Sequence, residues 1–128
     1  SRRQRQMCIR DRLNEDGLVE NEAHEMKLDE SKVTVTEDFF DKDAYIFENS
    51  GCREVSIQAD GKAAVTVTFD APVFGLWSPV GKKVPFICIE PWYGRADAAD
   101  FDGNLQKRAW QNELEPGKIF EKAYTIAF

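Results

Sequence analysis

A glutamate embedded in an apolar strand and followed at once by two aromatics is the most chemically suggestive feature of this 128-residue sequence. In Pro85-Phe86-Ile87-Cys88-Ile89-Glu90-Pro91-Trp92-Tyr93-Gly94, strand alternation puts Phe86 and Cys88 on one side and Ile87 and Ile89 on the other. Both faces are then apolar, which predicts a central strand. Glu90 falls at its buried end. Pro91 cannot donate to a ladder, so the chain is expected to turn away there and open a cleft. A carboxylate in that setting must be paired or hydrogen-bonded, because burying it bare is costly. Glu90 is thus a candidate general base; the alternatives are an ion pair with Arg95 or a loop cap, since structural networks bury carboxylates too. Trp92 and Tyr93 offer flat faces that suit the C–H face of a sugar ring beside an acid contacting a hydroxyl. Core packing is the other reading of both aromatics.

The remaining chemistry-bearing residues give less. Asp97, Asp100 and Asp102 with Gly103 lack the alternating ligands and closing glutamate of a calcium loop, so no metal site is expected. Cys52 and Cys88 show no CxxC spacing and have one histidine to join them, which supports neither zinc nor redox chemistry. His24 lies among Asn21, Glu22 and Glu25 and reads as a surface residue. Lys82, Lys83, Arg95, Lys107 and Arg108 supply charge for a sugar phosphate, but no glycine-rich cradle accompanies them.

The elements that position these residues read as strands. Val33 to Thr36 alternates, Ala44 to Phe47 is a short apolar run, and Glu54 to Gln58 alternates with Val55 and Ile57 on one face. Asp60-Gly61 supplies a tight hairpin turn, after which Val65, Val67 and Phe69 face one way and Ala64, Thr66 and Thr68 the other. Val73 to Trp77 and Pro85 to Glu90 are two further strands, and Phe120, Tyr124, Ile126 and Phe128 share a face of a terminal one. No segment sustains a 3.6-residue apolar repeat. The fold class is therefore all-β, an antiparallel β-sandwich, with residues 94 to 114 forming a long loop of the kind that carries function.

Composition narrows the partners. Seventeen Lys+Arg against 23 Asp+Glu give a formal net charge of −6, which argues against nucleic acid, whose affinity comes from cations displacing condensed counterions. No apolar run is long enough to span a bilayer and no secretory signal is visible, so no membrane partner is expected and the default compartment is cytoplasmic. Residues 1 to 12 form a separate basic regime of charge +4, holding five arginines and Cys8. They resemble the translation of a sequencing-adaptor read-through and are expected to be non-native, with a basic tail as the alternative; residues 13 to 128 are then one part of a domain.

Over residues 33 to 128 the sequence resembles the aldose 1-epimerase (galactose mutarotase-like) family, nearest its LacX-like branch. The resemblance is carried by Val84 to Gly94 with its CIEPWYG core, Ala96-Asp97 and Leu114-Glu115-Pro116-Gly117. Phe40 to Phe47 and Gly75-Leu76-Trp77-Ser78 support it. It implies a β-supersandwich, of which this chain is a C-terminal portion, and interconversion of the α and β anomers of a hexose, free or phosphorylated, without a cofactor. It implies Glu90 as general base on the anomeric hydroxyl, a histidine that protonates the ring oxygen, and sugar contacts from Asp43 and Asp97 beside Trp92 and Tyr93. The family's histidine lies in an N-terminal half that has no match here, and His24 sits in no matching motif. The chain alone is expected to hold the base without the acid and to be inactive. The alternative is a non-catalytic carbohydrate-binding β-sandwich; oligomeric state is left open.

Overall fold

The computed structural model describes residues 8–11, 13–82 and 84–128. Among the described residues eight strands form two antiparallel sheets: β1 (Cys8–Asp11), β2 (His24–Met26), β3 (Tyr45–Glu48), β4 (Glu54–Ala59), β5 (Lys62–Phe69), β6 (Val73–Trp77), β7 (Cys88–Trp92) and β8 (Tyr124–Ala127). One sheet runs β2-β1-β3-β6-β7 and the other β4-β5-β8. A single short 3-10 turn, Leu105–Lys107, interrupts the long loop after β7. No helix among the described residues is long and apolar enough to cross a membrane.

Local chemistry accounts for the hairpin. Asp60 and Gly61 both adopt positive φ, 52° and 76°, the turn whose twist matches that of the flanking strands. It pairs Ala59 with Lys62, and a register shift between Ile57 and Gln58 then places Val55 opposite Val67 and Ser56 opposite Thr66, where the two hydroxyls meet at 2.8 Å on the exposed face. Val67 and Phe69 point inward against the first sheet, as their alternation requires.

The core between the sheets is aromatic. Phe47 of β3 and Phe74 of β6 are register partners and stack at 4.6 Å and 11°, with Phe69 of β5 tilted against Phe74 at 5.4 Å. Met26, Val67 and Ala71 complete this cluster, and Ile89 and Leu76 pack onto it. The opposite face of the five-stranded sheet has a second, smaller cluster of Val19, Ile46 and Val73, packed by Leu13, Trp92 and Trp110.

Three expectations need correcting. The strand that is covered on both faces is β6, where Val73, Phe74 and Gly75 are all buried, whereas β7 is an edge strand. The strand does not end at Glu90 either: Pro91 lies inside β7, opposite Phe74. A proline is tolerated there because an edge strand needs only one side of its ladder. Val33 to Thr36 forms no strand and is exposed, since β-propensity is realised only where cross-strand neighbours and burial reward it. The terminal strand does form, with Tyr124 and Ile126 beside Phe69 and Val67. It stays 59% and 50% exposed, because the facing sheet does not extend over it.

Candidate functional site

β7 sends alternate side chains to the two faces of its sheet. Ile89 goes to the aromatic core and Trp92 to the second cluster. By the same alternation Cys88, Glu90 and Trp92 share the second face. Glu90 is half-buried there, in the middle of the strand and opposite Gly75 of β6. Its Oε2 accepts a hydrogen bond from the indole Nε1 of Trp92 at 3.2 Å. The Trp92 ring lies across β6: a Cβ built on Gly75 would meet its Cζ2 at 3.0 Å. On the other side of Glu90, burial first and then the carboxylate's charge and hydrogen bonding push the Cys88 thiol up, which keeps it neutral beside the glutamate.

Arg95 is not the partner of Glu90. It pairs with Glu48 at the end of β3, and the two side chains are only 9% and 17% exposed. This pair fixes the start of the long loop against the sheet. The loop is pinned twice more: Val19 donates to the Asp97 carbonyl at 2.8 Å and accepts from Ala99 at 2.9 Å, while Arg108 donates to Asp97 Oδ1 at 2.5 Å and to the Arg95 carbonyl at 2.8 Å. Trp110, at a φ of 58° that bulky side chains rarely adopt, is thereby held over the second cluster. Arg95 and Arg108 are thus both engaged by carboxylates. Lys83 lies outside the described residues, as do residues 1 to 7, Arg12 and the side chains of residues 8 to 11.

The candidate residues are only partly gathered. Glu90 and Trp92 are in contact. Asp97 is committed to Arg108 at the rim of a depression of about 270 Å³ lined also by Asp100, Phe101 and Lys107. Asp43 precedes β3 with φ 72°, its Oδ1 accepting from the Ala44 amide at 2.7 Å. Tyr93 turns to the other side, packing toward the aromatic core and donating its hydroxyl to Asp70, so two adjacent aromatics do not form one platform. His24 lies in β2, at the opposite edge of the sheet from β7. Four interstrand spacings, roughly 19 Å, separate the two edges, which rules out a direct acid–base couple. A groove of about 990 Å³ runs past Phe40, Asp41, Ile57, Ser78, Lys82 and Phe86 and is not lined by Glu90. Among the described residues no three His, Cys, Asp or Glu side chains converge as a metal site would need.

Gly75 is the residue that sequence reasoning missed. An isolated glycine inside a strand pattern signals a close approach by something else, and that signal was legible in Val73-Phe74-Gly75-Leu76-Trp77.

No protein-family model and no curated protein matches the sequence. Among solved structures, the chain is similar to one described as the galactose mutarotase related enzyme from Lactobacillus acidophilus, with 35% identity and a TM-score of 0.83 over 94% of this chain. The chain has a galactose mutarotase-like fold. It spans 41% of that solved chain, so this mutarotase-like unit corresponds to a part of the longer protein. The two antiparallel sheets and, among the described residues, the near absence of helix accord with that fold.

Proposed function

We propose that this chain is the base-bearing part of an aldose 1-epimerase that interconverts the anomers of a hexose. The observation that carries the reading is Glu90: a half-buried carboxylate on the second sheet face, held by an indole N–H in a chain 35% identical to a mutarotase-related enzyme. In this reading Glu90 takes the proton from the anomeric hydroxyl. The C1–O5 bond breaks, its electron pair goes to O5, and O5 takes a proton from an acid, leaving the open-chain aldehyde. Rotation about C1–C2 exposes the other carbonyl face. O5 then attacks C1, its proton returns to the conjugate base of the acid, and the carbonyl oxygen takes back the proton from Glu90. No redox change occurs and no cofactor is required by the balance. Proton transfer of this kind needs a base within hydrogen-bond reach of the hydroxyl, which a partly exposed carboxylate on an open face allows.

The acid belongs, in this reading, to the part of the longer protein that the 128 residues do not span. His24 is too far across the sheet to serve. Asp43, Asp97 and the exposed part of the Trp92 ring are assigned to the sugar. Tyr93 is assigned to anchoring the segment after β7, because its ring faces the aromatic core. The hexose is free or phosphorylated; Arg95 and Arg108 are already paired, which leaves Lys82 and Lys107, among the described residues, as loop cations for a phosphate.

Polarimetry on freshly dissolved α-glucose and α-galactose tests the reading. The longer protein should accelerate mutarotation, and Glu90→Gln should lower the rate roughly 10²- to 10⁴-fold. Equal rates for the two proteins would remove Glu90 from the mechanism. The 128-residue chain alone should stay near the uncatalysed rate. Sugar binding without anomer exchange by the longer protein would point instead to a carbohydrate-binding module.

A further inference from the structure

We propose that Trp92 and Gly75 form a positioning pair for Glu90, in which the indole N–H holds the carboxylate and the bare glycine makes room for the ring. This role rests on the reading of Glu90 as the base. It assigns Trp92 a duty that a sugar platform does not require.

Three observations converge. Trp92 and Glu90 are two residues apart on one strand face, so the indole must lean sideways rather than stand upright for its N–H to reach back. It does so across β6, and Nε1 lies 3.2 Å from Glu90 Oε2. The place it crosses is Gly75, the register partner of Glu90, where Cζ2, Cε2 and Cη2 of the ring lie 3.0, 3.3 and 3.4 Å from the site of an added Cβ. A lone Cβ at position 75 would press the ring by a few tenths of an ångström, and a larger side chain would displace it and carry Nε1 away from the carboxylate. Gly75 does not have the positive φ that would explain a glycine by backbone conformation, so close approach is the reason for it.

The choice of aromatic matters. A sugar's C–H face stacks on phenylalanine, tyrosine or tryptophan alike, but only tryptophan carries an edge N–H that donates and never accepts. Glutamate has a long flexible side chain, and an unanchored carboxylate on a partly exposed face would sample several rotamers. A base must be held to within about 0.5 Å of its productive position. On the far side of the carboxylate the neutral Cys88 thiol adds no competing charge. Trp92 is in turn seated on Val73 and the second cluster, so its own orientation is fixed by packing.

The decisive variant is Trp92→Phe, which keeps a ring on Gly75 and deletes the donor. Nuclear magnetic resonance on the 128-residue chain should show one rotamer of the Glu90 side chain by its three-bond couplings, and averaging among rotamers in Trp92→Phe. The indole N–H signal of Trp92 should shift in Glu90→Gln. Gly75→Val, which keeps the donor but displaces the ring, should give the same averaging; if that variant does not fold, Trp92→Phe decides alone. Unchanged Glu90 couplings in Trp92→Phe would overturn the proposal. In the longer protein, Trp92→Phe should lower kcat roughly a hundredfold with KM nearly unchanged. A raised KM at constant kcat would show a sugar platform instead and would also overturn it. Should the longer protein fail to catalyse mutarotation at all, the epimerase reading falls, while the couplings still decide whether Trp92 positions Glu90.

Discussion

The two faces of the five-stranded sheet share one set of backbone ladders and differ in almost everything else. The inner face is hydrocarbon and ring: Phe47 on Phe74, with Phe69 and Val67 closing from the other sheet. The outer face mixes a small apolar cluster, Val19, Ile46 and Val73, with Glu90 and the Glu48–Arg95 pair, under a loop tied down by hydrogen bonds. Burial of apolar area is non-directional and stabilises the inner face wherever shapes fit. The outer face depends on partners at defined positions, because each buried charge must be answered. Alternation along β7 and β3 lets a single strand serve both: Ile89 and Phe47 go inward, Glu90 and Glu48 outward.

That contrast is open to direct tests. Phe74→Ala should have the largest effect, a loss of about 4 kcal/mol in urea denaturation, because it deletes the ring that stacks on Phe47 and touches Phe69. A loss under about 1 kcal/mol would mean that the inner face is not the principal core. Next comes Arg95→Leu, which leaves Glu48 buried and unanswered and should cost roughly 3 kcal/mol. The double variant with Glu48→Leu should recover much of that loss. Equal losses in the single and double variants would show that the pair's surroundings, rather than its charges, set the stability of the outer face.

The smallest effect concerns the place where β7 hands over to Tyr93. The hydrogen bond to Asp70, with burial and the Asp70 charge adding, pushes the Tyr93 hydroxyl up from 10.0 to about 12. The Tyr93 hydroxyl and then Lys122 hold the Asp70 carboxyl below its ordinary range. A phenol raised on folding stabilises the fold fully below pH 10.0 and loses that contribution as pH rises through about 12. A carboxyl lowered on folding contributes above its ordinary value of 3.8 and loses the contribution as pH falls through its depressed value. Tyrosinate absorbance should therefore contain a component titrating near 12 that moves back toward 10.0 in Asp70→Asn. A component that stayed in place would place the cause in burial instead of the hydrogen bond.

How far the sequence disclosed this arrangement differs from element to element. The Asp60-Gly61 turn and the alternation of β4 and β5 are local, and the hairpin follows from them. The CIEPWYG stretch pointed to Glu90 and to the family, and the 35% identical structure carries the same family name. The alternation also contained the fact that Glu90 and Trp92 share a face while Tyr93 does not, although adjacency in sequence suggested a joint platform. Val33 to Thr36 shows the opposite case, a strand-like pattern with no neighbour to pair with.

The sequence by itself determined the fold class, the hairpin and the alternation of faces along β4, β5 and β7, because period-two geometry and turn conformation are decided within a few residues. Only the tertiary structure decided that β7 is an edge strand with Pro91 inside it, that Arg95 answers Glu48 and leaves Glu90 to Trp92, and that Gly75 is the space in which the indole lies. These are pairings between residues distant in sequence. Which strands lie side by side, and which side chains then meet, depends on how the whole chain packs.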